Sequence, residues 1–125
     1  IRMWCWWCCH TFEGIPLSMP YKHDERRNKF YTSGNFCSWS CMKTYVIDKY
    51  GCNRGGLICG NMVMMRRKIF DKIGPIKKAP RRQRLLEFGG DMTIEKFREM
   101  TKFCKRGDLD EIYSKMLQYH SMYKD

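Results

Sequence analysis

Eight of the 125 residues are cysteine, and four of these fall in two close pairs: Cys5-Trp6-Trp7-Cys8, then Phe36-Cys37-Ser38-Trp39-Ser40-Cys41. A thiolate can be a nucleophile, a redox partner or a metal ligand. A lone Cys-x-x-Cys fits redox chemistry, but the bulky Trp6 and Trp7 between the thiols and the matched pair downstream favour a metal. Tetrahedral zinc takes four soft ligands at about 2.3 Å, and two rigid local turns brought together by the intervening chain can deliver them. Cys5, Cys8, Cys37 and Cys41 are therefore read as one structural zinc site. His10 is an alternative ligand, five residues from Cys5 in the same knuckle. Cys9 is expected to be a packed or half-exposed thiol, and Cys52, Cys59 and Cys104 fall short of a second site.

The other chemistries have less to stand on. Eight cysteines in a short chain can mean a disulfide framework. Here Cys8 and Cys9 are adjacent, the remaining cysteines lack regular spacing, and ten methionines do not suit an extracellular scaffold. A metal with reduced thiols, and hence a reducing compartment, is favoured. The three histidines are far apart, no Ser/His/Asp order stands out, and Gly55-Gly56 lacks the Lys-Ser/Thr of a phosphate loop. Zinc with four cysteine ligands has no open position for water, so no enzyme is expected. No apolar run approaches the roughly 18 residues of a membrane span, and no small-molecule substrate is implied. The chain opens on Ile1 rather than Met, as expected of a fragment or a processed chain.

Around the cysteines, WCWWCCH (residues 4–10) reads as a tight knuckle. Residues 11–27, broken by Gly14, Pro16 and Pro20, read as irregular, with a charged loop over residues 22–27. Lys29 to Phe36 reads as a short hairpin around Ser33-Gly34-Asn35, running into Cys37. Met42, Tyr45, Val46 and Tyr50 recur at helical spacing, so a helix is expected over Ser38–Tyr50 with Gly51 as its C-cap. Its N-terminus favours thiolate at Cys37 and Cys41 through unpaired N–H groups and the helix dipole. Arg2, Arg26, Arg27 and Lys43 are candidates to offset the charge of the four thiolates.

Knuckle, hairpin and helix together are the plan of a treble-clef zinc finger, and the fold class expected is small α+β with a mainly helical basic extension. The finger takes residues 1–52 and the extension 53–125. Within the extension, a helix is expected over Asn61–Ile73 with Met62, Met65, Ile69 and Ile73 on one face, an extended Pro/Arg-rich linker over 74–84, a Thr93-capped helix over Ile94–Arg106, and a last helix after Asp108.

Two surfaces suggest partners. Lys+Arg number 24 against 13 Asp+Glu, a formal net charge of +11. Arg66, Arg67, Lys68, Lys72, Lys77, Lys78, Arg81, Arg82 and Arg84 put nine of those charges in nineteen residues, against Asp71 alone. That density exceeds what solubility requires and fits phosphate or an acidic partner. Trp6 and Trp7, at the knuckle tip, can stack on bases or contact a protein, or else build a small core; Trp4 and Trp39 are read as core.

CWWCCHTFEGIP through NKFYTSGNFCSWSCMKTYV resembles the FCS/MYM-type zinc fingers. The likeness is greatest to those of the late transcription factor 2 family of poxviruses and their relatives among the nucleocytoplasmic large DNA viruses. Residues 5 to 50 follow the family's order of Cys-Trp-aromatic-Cys knuckle, Pro-containing loop, Gly-bearing hairpin and Phe-Cys-Ser-x-x-Cys closure. The stretch from Ala79 through Gly90, with Thr93 to Arg98, is similar to the tail of relatives in the larger viruses. The resemblance implies a viral late transcription factor acting through the viral RNA polymerase, other viral proteins or DNA. Its expected place is the viral factory of the host cytoplasm or the nucleus, with packaging in the virion as a variant. The zinc-ligand roles carry over to Cys5, Cys8, Cys37 and Cys41. The longer, more basic tail and Cys9-His10 depart from the poxvirus pattern, and such fingers often bind proteins rather than DNA. A structural virion protein using the same finger as a scaffold is the alternative.

Overall fold

The computed structural model of the chain describes residues 2–100. It is a small α+β fold with two antiparallel hairpins and one long helix. Strand β1 (Arg2–Trp4) pairs with β2 (Thr11–Glu13), bracketing the knuckle, with Trp4 opposite Thr11. Strand β3 (Leu17–Asp24) pairs with β4 (Lys29–Phe36), from Leu17 opposite Phe36 to Asp24 opposite Lys29.

This second hairpin corrects the expectation for residues 11–36. The segment read as irregular contains β2 and β3, and the chain reverses over Glu25–Asn28, not at Ser33-Gly34-Asn35. Asn28 there takes a left-handed φ of 50° and its N–H donates to the Glu25 carbonyl at 3.3 Å. Strand β3 escapes the sequence pattern because Leu17, Ser18, Met19 and Pro20 are all buried, and the register shifts twice between Leu17 and Lys22. Bulges of this kind break the period-2 alternation that betrays a strand. Pro20 can donate nothing to the ladder, but its carbonyl accepts from Asn61 Nδ2 at 3.2 Å, tying β3 to the long helix. Gly34 stays inside β4 at φ 87°. A Cβ there would lie 2.9 Å from both the Trp6 and the Phe36 ring, so the knuckle's ring lies directly on bare backbone.

Helix α1 (Trp39–Phe70) starts as expected and bends at Gly51, whose φ of 77° and ψ of −174° are not helical. The expected C-cap is therefore a kink, after which the helix resumes. It continues through Gly55, Gly56 and Gly60, a stretch the sequence left unassigned. A Cβ on Gly55 would meet the Val46 carbonyl at 3.2 Å, so the kink folds the two parts of α1 close together. Beyond it Ile58, Met62, Met65 and Ile69 form a buried seam at helical spacing. Asp71 closes α1 in left-handed conformation, which ends the helix before Ile73; Ile73 is 83% exposed rather than on the buried face.

From Asp71 to Arg81 the chain has no regular structure, and two 3-10 turns follow at Arg82–Arg84 and Leu86–Phe88. Helix α2 (Ile94–Met100) opens with Thr93 Oγ1 accepting from the Lys96 N–H at 3.2 Å, the expected cap. The remainder of that expected helix, Cys104 and the helix expected after Asp108 lie outside the described residues. Phe30 and Phe36 from the second hairpin, Met42, Val46 and Met62 from α1, and Leu85 and Phe97 from the tail are all fully buried in one apolar cluster. No helix among the described residues is long and apolar enough to cross a membrane.

Candidate metal centre

Cys5 and Cys8 sit on the knuckle between β1 and β2. The knuckle closes through the Cys9 N–H to the Cys5 carbonyl and the Cys5 N–H to the His10 carbonyl, both 3.0 Å, with Cys9 at φ 57°. Trp6 N–H donates to the Asn35 carbonyl at 2.8 Å and so sews the knuckle to the end of β4. Cys37 follows β4 directly. Ser38 caps α1, its Oγ accepting the Cys41 N–H at 3.1 Å, which sets Cys41 one turn into the helix.

These turns bring Cys5, Cys8, Cys37 and Cys41 together, buried, with all four Sγ atoms within 4.8 Å of one another. The Cys8–Cys37 and Cys37–Cys41 sulfurs are 3.9 and 3.7 Å apart. Four sulfurs at about 2.3 Å from a central ion make a tetrahedron with edges of about 3.8 Å, so the donor set fits one ion. A disulfide needs about 2.05 Å, and the four thiols are free. All four cysteines read as ligands from the sequence are in the cluster.

The electrostatics of the four-thiol cluster suit a bound cation. Hydrogen bonds from Cys37 and then Cys41 hold the Cys8 thiol far below the ordinary range, and the same two donors lower Cys5. Cys41 is pushed up, first by its hydrogen bond with Cys37, then by Cys5, Cys8 and burial. For Cys37, the hydrogen bond with Cys41 pulls down but is outweighed by Cys5, Cys8 and burial, which raise it. Without a cation this buried set keeps some of its protons; four thiolates there need a positive ion between them.

His10 does not join the donors. Its Nδ1–H donates to the Cys8 carbonyl at 2.7 Å and its Nε2 faces Glu87 Oε1 at 3.1 Å, which orients the knuckle from outside. Cys9 is half-buried, Cys52 exposed and Cys59 half-buried, and no second cluster of metal-ligating side chains occurs among the described residues.

The expected partner residues divide. Trp6 is 40% exposed, with its ring tilted on Phe36 and edge-on to Tyr45. Trp7 is a correction: at 3% exposure it is core, and its Nε1–H donates to the Pro80 carbonyl at 2.9 Å. Trp4, expected inside, is 64% exposed, whereas Trp39 packs edge-on against Phe70. Arg82 lies on the Trp7 ring, 4.3 Å from its centre, and its Nη2 donates to the Trp6 carbonyl at 3.5 Å. Arg66 donates to the Gly74 carbonyl, and Lys68 to Asn28 Oδ1. Arg67, Lys72, Lys77, Lys78, Arg81 and Arg84 are exposed.

Sequence reasoning missed the groups that dock residues 76–80 onto the finger. Lys43 Nζ donates to the Ile76 carbonyl at 2.6 Å, and Thr44 Oγ1 accepts the Ala79 N–H at 2.8 Å. Nothing in the local pattern marks Thr44 or singles out Arg82 among the neighbouring arginines. Comparisons with family models, with curated proteins and with solved structures find no match to this chain.

Proposed function

We propose that this chain is a zinc-stabilised recognition module of the treble-clef, FCS/MYM-like kind. It acts without catalysis in late gene transcription of a large DNA virus, through nucleic acid, the viral RNA polymerase or both. One observation carries the reading: four buried thiols lie at tetrahedral spacing on a knuckle and a helix N-terminus. Soft thiolates select zinc over hard cations, and a cage whose four positions are all protein sulfur leaves none for substrate. The ion's work in such a site is to fold the chain around it.

The surface supports recognition rather than turnover. It combines the exposed cations Arg67, Lys72, Lys77, Lys78, Arg81 and Arg84 with the exposed rings of Trp4 and Trp6. The viral and transcriptional part of the proposal rests on the resemblance of residues 5–50 to the late transcription factor 2 family. Metal analysis of the purified full chain tests the first part; one zinc per chain is expected, and no metal or a Cys5–Cys41 disulfide would overturn it. Identification of what co-purifies from infected cells tests the second. Polymerase subunits or promoter DNA support a transcription factor, whereas fixed stoichiometry inside particles would assign a structural virion protein instead.

A further inference from the structure

We infer that residues 76–84 form a phosphate-binding edge for duplex DNA, and that the metal knuckle holds this edge in place. The inference rests on the recognition-module reading and names its partner. The segment was expected to be a linker; it is instead a strap fastened by its backbone. The Ile76 carbonyl is held by Lys43, the Ala79 N–H by Thr44 Oγ1 and by the Ser40 carbonyl at 3.3 Å, and the Pro80 carbonyl by Trp7. Ile76 and Ala79 are buried against the finger, and Arg82 lies on Trp7. Two of these anchors, Trp7 and Ser40, lie between the paired metal ligands.

With its backbone and apolar groups turned inward, the strap shows solvent Lys77, Lys78, Arg81, Gln83 and Arg84. The four cations have no carboxylate partner among the described residues. The Arg84 N–H donates to the Arg81 carbonyl at 3.0 Å, and residues three apart eclipse in a 3-10 turn, so Arg81 and Arg84 share a side while Arg82 faces the knuckle. A protein partner would look for a buried aromatic or aliphatic anchor, and the exposed positions of the strap hold none. A single strand would look for stacked rings, which the strap also lacks. What remains is charge, and duplex DNA carries twice the linear charge density of one strand. Because the cations sit on a fixed backbone, little ordering cost opposes their contact with phosphates.

The test uses the full chain loaded with zinc and a mixed-sequence duplex of about 20 base pairs, titrated between about 50 and 200 mM salt. Four phosphate contacts give a log–log slope of about −3.6. The variant with Lys77, Lys78, Arg81 and Arg84 all changed to Gln is expected to lose about 3.6 from that slope with zinc content unchanged. Trp7→Phe keeps a ring in the core but removes the donor to Pro80. It is expected to weaken duplex binding about fivefold without changing zinc content. A slope unaltered in the quadruple variant, an unaltered affinity in Trp7→Phe with zinc retained, tighter binding to the single strand, or preference for polyglutamate as competitor overturns the strap proposal and leaves the module reading standing. A chain that holds no zinc overturns the module reading itself, and the inference with it.

Discussion

Ser38 shapes the four-cysteine cluster without adding a donor to it. Its hydroxyl takes the Cys41 N–H, which fixes the first turn of α1 and the distance from Cys37 to Cys41 at once. Ser38→Ala is expected to cost about 1 kcal/mol in a melting experiment and to make zinc easier to remove by a competing chelator. The thiols themselves should differ sharply in reactivity. Cys52 is exposed, while burial pushes the half-buried Cys59 up, against the opposing pull of Lys43 and Lys78. Iodoacetamide at neutral pH should therefore label Cys52 first and Cys59 slowly, because the thiolate is the reacting form. The four cage cysteines should stay unlabelled until the metal is stripped, and mass spectrometry of the timed digest reads all three classes. Early labelling of Cys5 or Cys41 in the zinc-loaded chain would contradict a closed cage. In the same protein Cys52→Ser should leave zinc content unchanged, whereas Cys8→Ser should abolish it.

Elements rather than single groups decide where the core closes, and α1 shows it best. Met62 is fully buried in the seam that faces the second hairpin, and its neighbour Val63 is exposed. Met62→Ala should cost about 2–5 kcal/mol of stability through lost burial and the cavity left behind, against less than about 0.5 for Val63→Ala. Denaturant melts of the two variants check the pair, and equal losses would mean the seam is not the contact. The cysteine pairs, the start of α1 and the Thr93 cap were legible in the sequence because each is a local rule with a fixed spacing. The Met62, Met65 and Ile69 face was legible for the same reason. Strand β3 was not, since four consecutive buried residues and two register shifts hide a strand from any periodicity. Gly34 was misread as a turn because a left-handed glycine marks a tight turn more often than a close approach of a ring, and only the tertiary contact with Trp6 tells them apart. The docked strap was invisible for a different reason: its fastenings pair residues 33 to 73 positions apart, through Lys43, Thr44 and Trp7.

For the molecule as a whole, metal and fold should be one equilibrium, because the cage lies where the knuckle, β4, α1 and, through Trp7, the strap converge. That makes stability depend on pH, with a sign that the metal sets. In the metal-free chain Cys37 and Cys41 are raised and Cys5 and Cys8 are lowered, so the first pair's contribution is lost as pH rises and the second pair's as pH falls. With zinc bound all four are thiolates, held far below the unfolded range of about 8.5, so the contribution is present above that range and is lost as pH falls. Unfolding the loaded chain below about pH 8 takes up close to four protons, each worth about 1.4 kcal/mol per pH unit, a slope on the order of 5 kcal/mol per unit at its steepest. The melting temperatures of loaded and chelated protein should therefore be far apart at about pH 8 and converge toward about pH 5. Metal release, followed with a chromogenic zinc indicator, should run parallel to the loss of the difference. If the two forms melt together at pH 8, the cage does not hold the fold, and the dependence of the strap on it fails with that result.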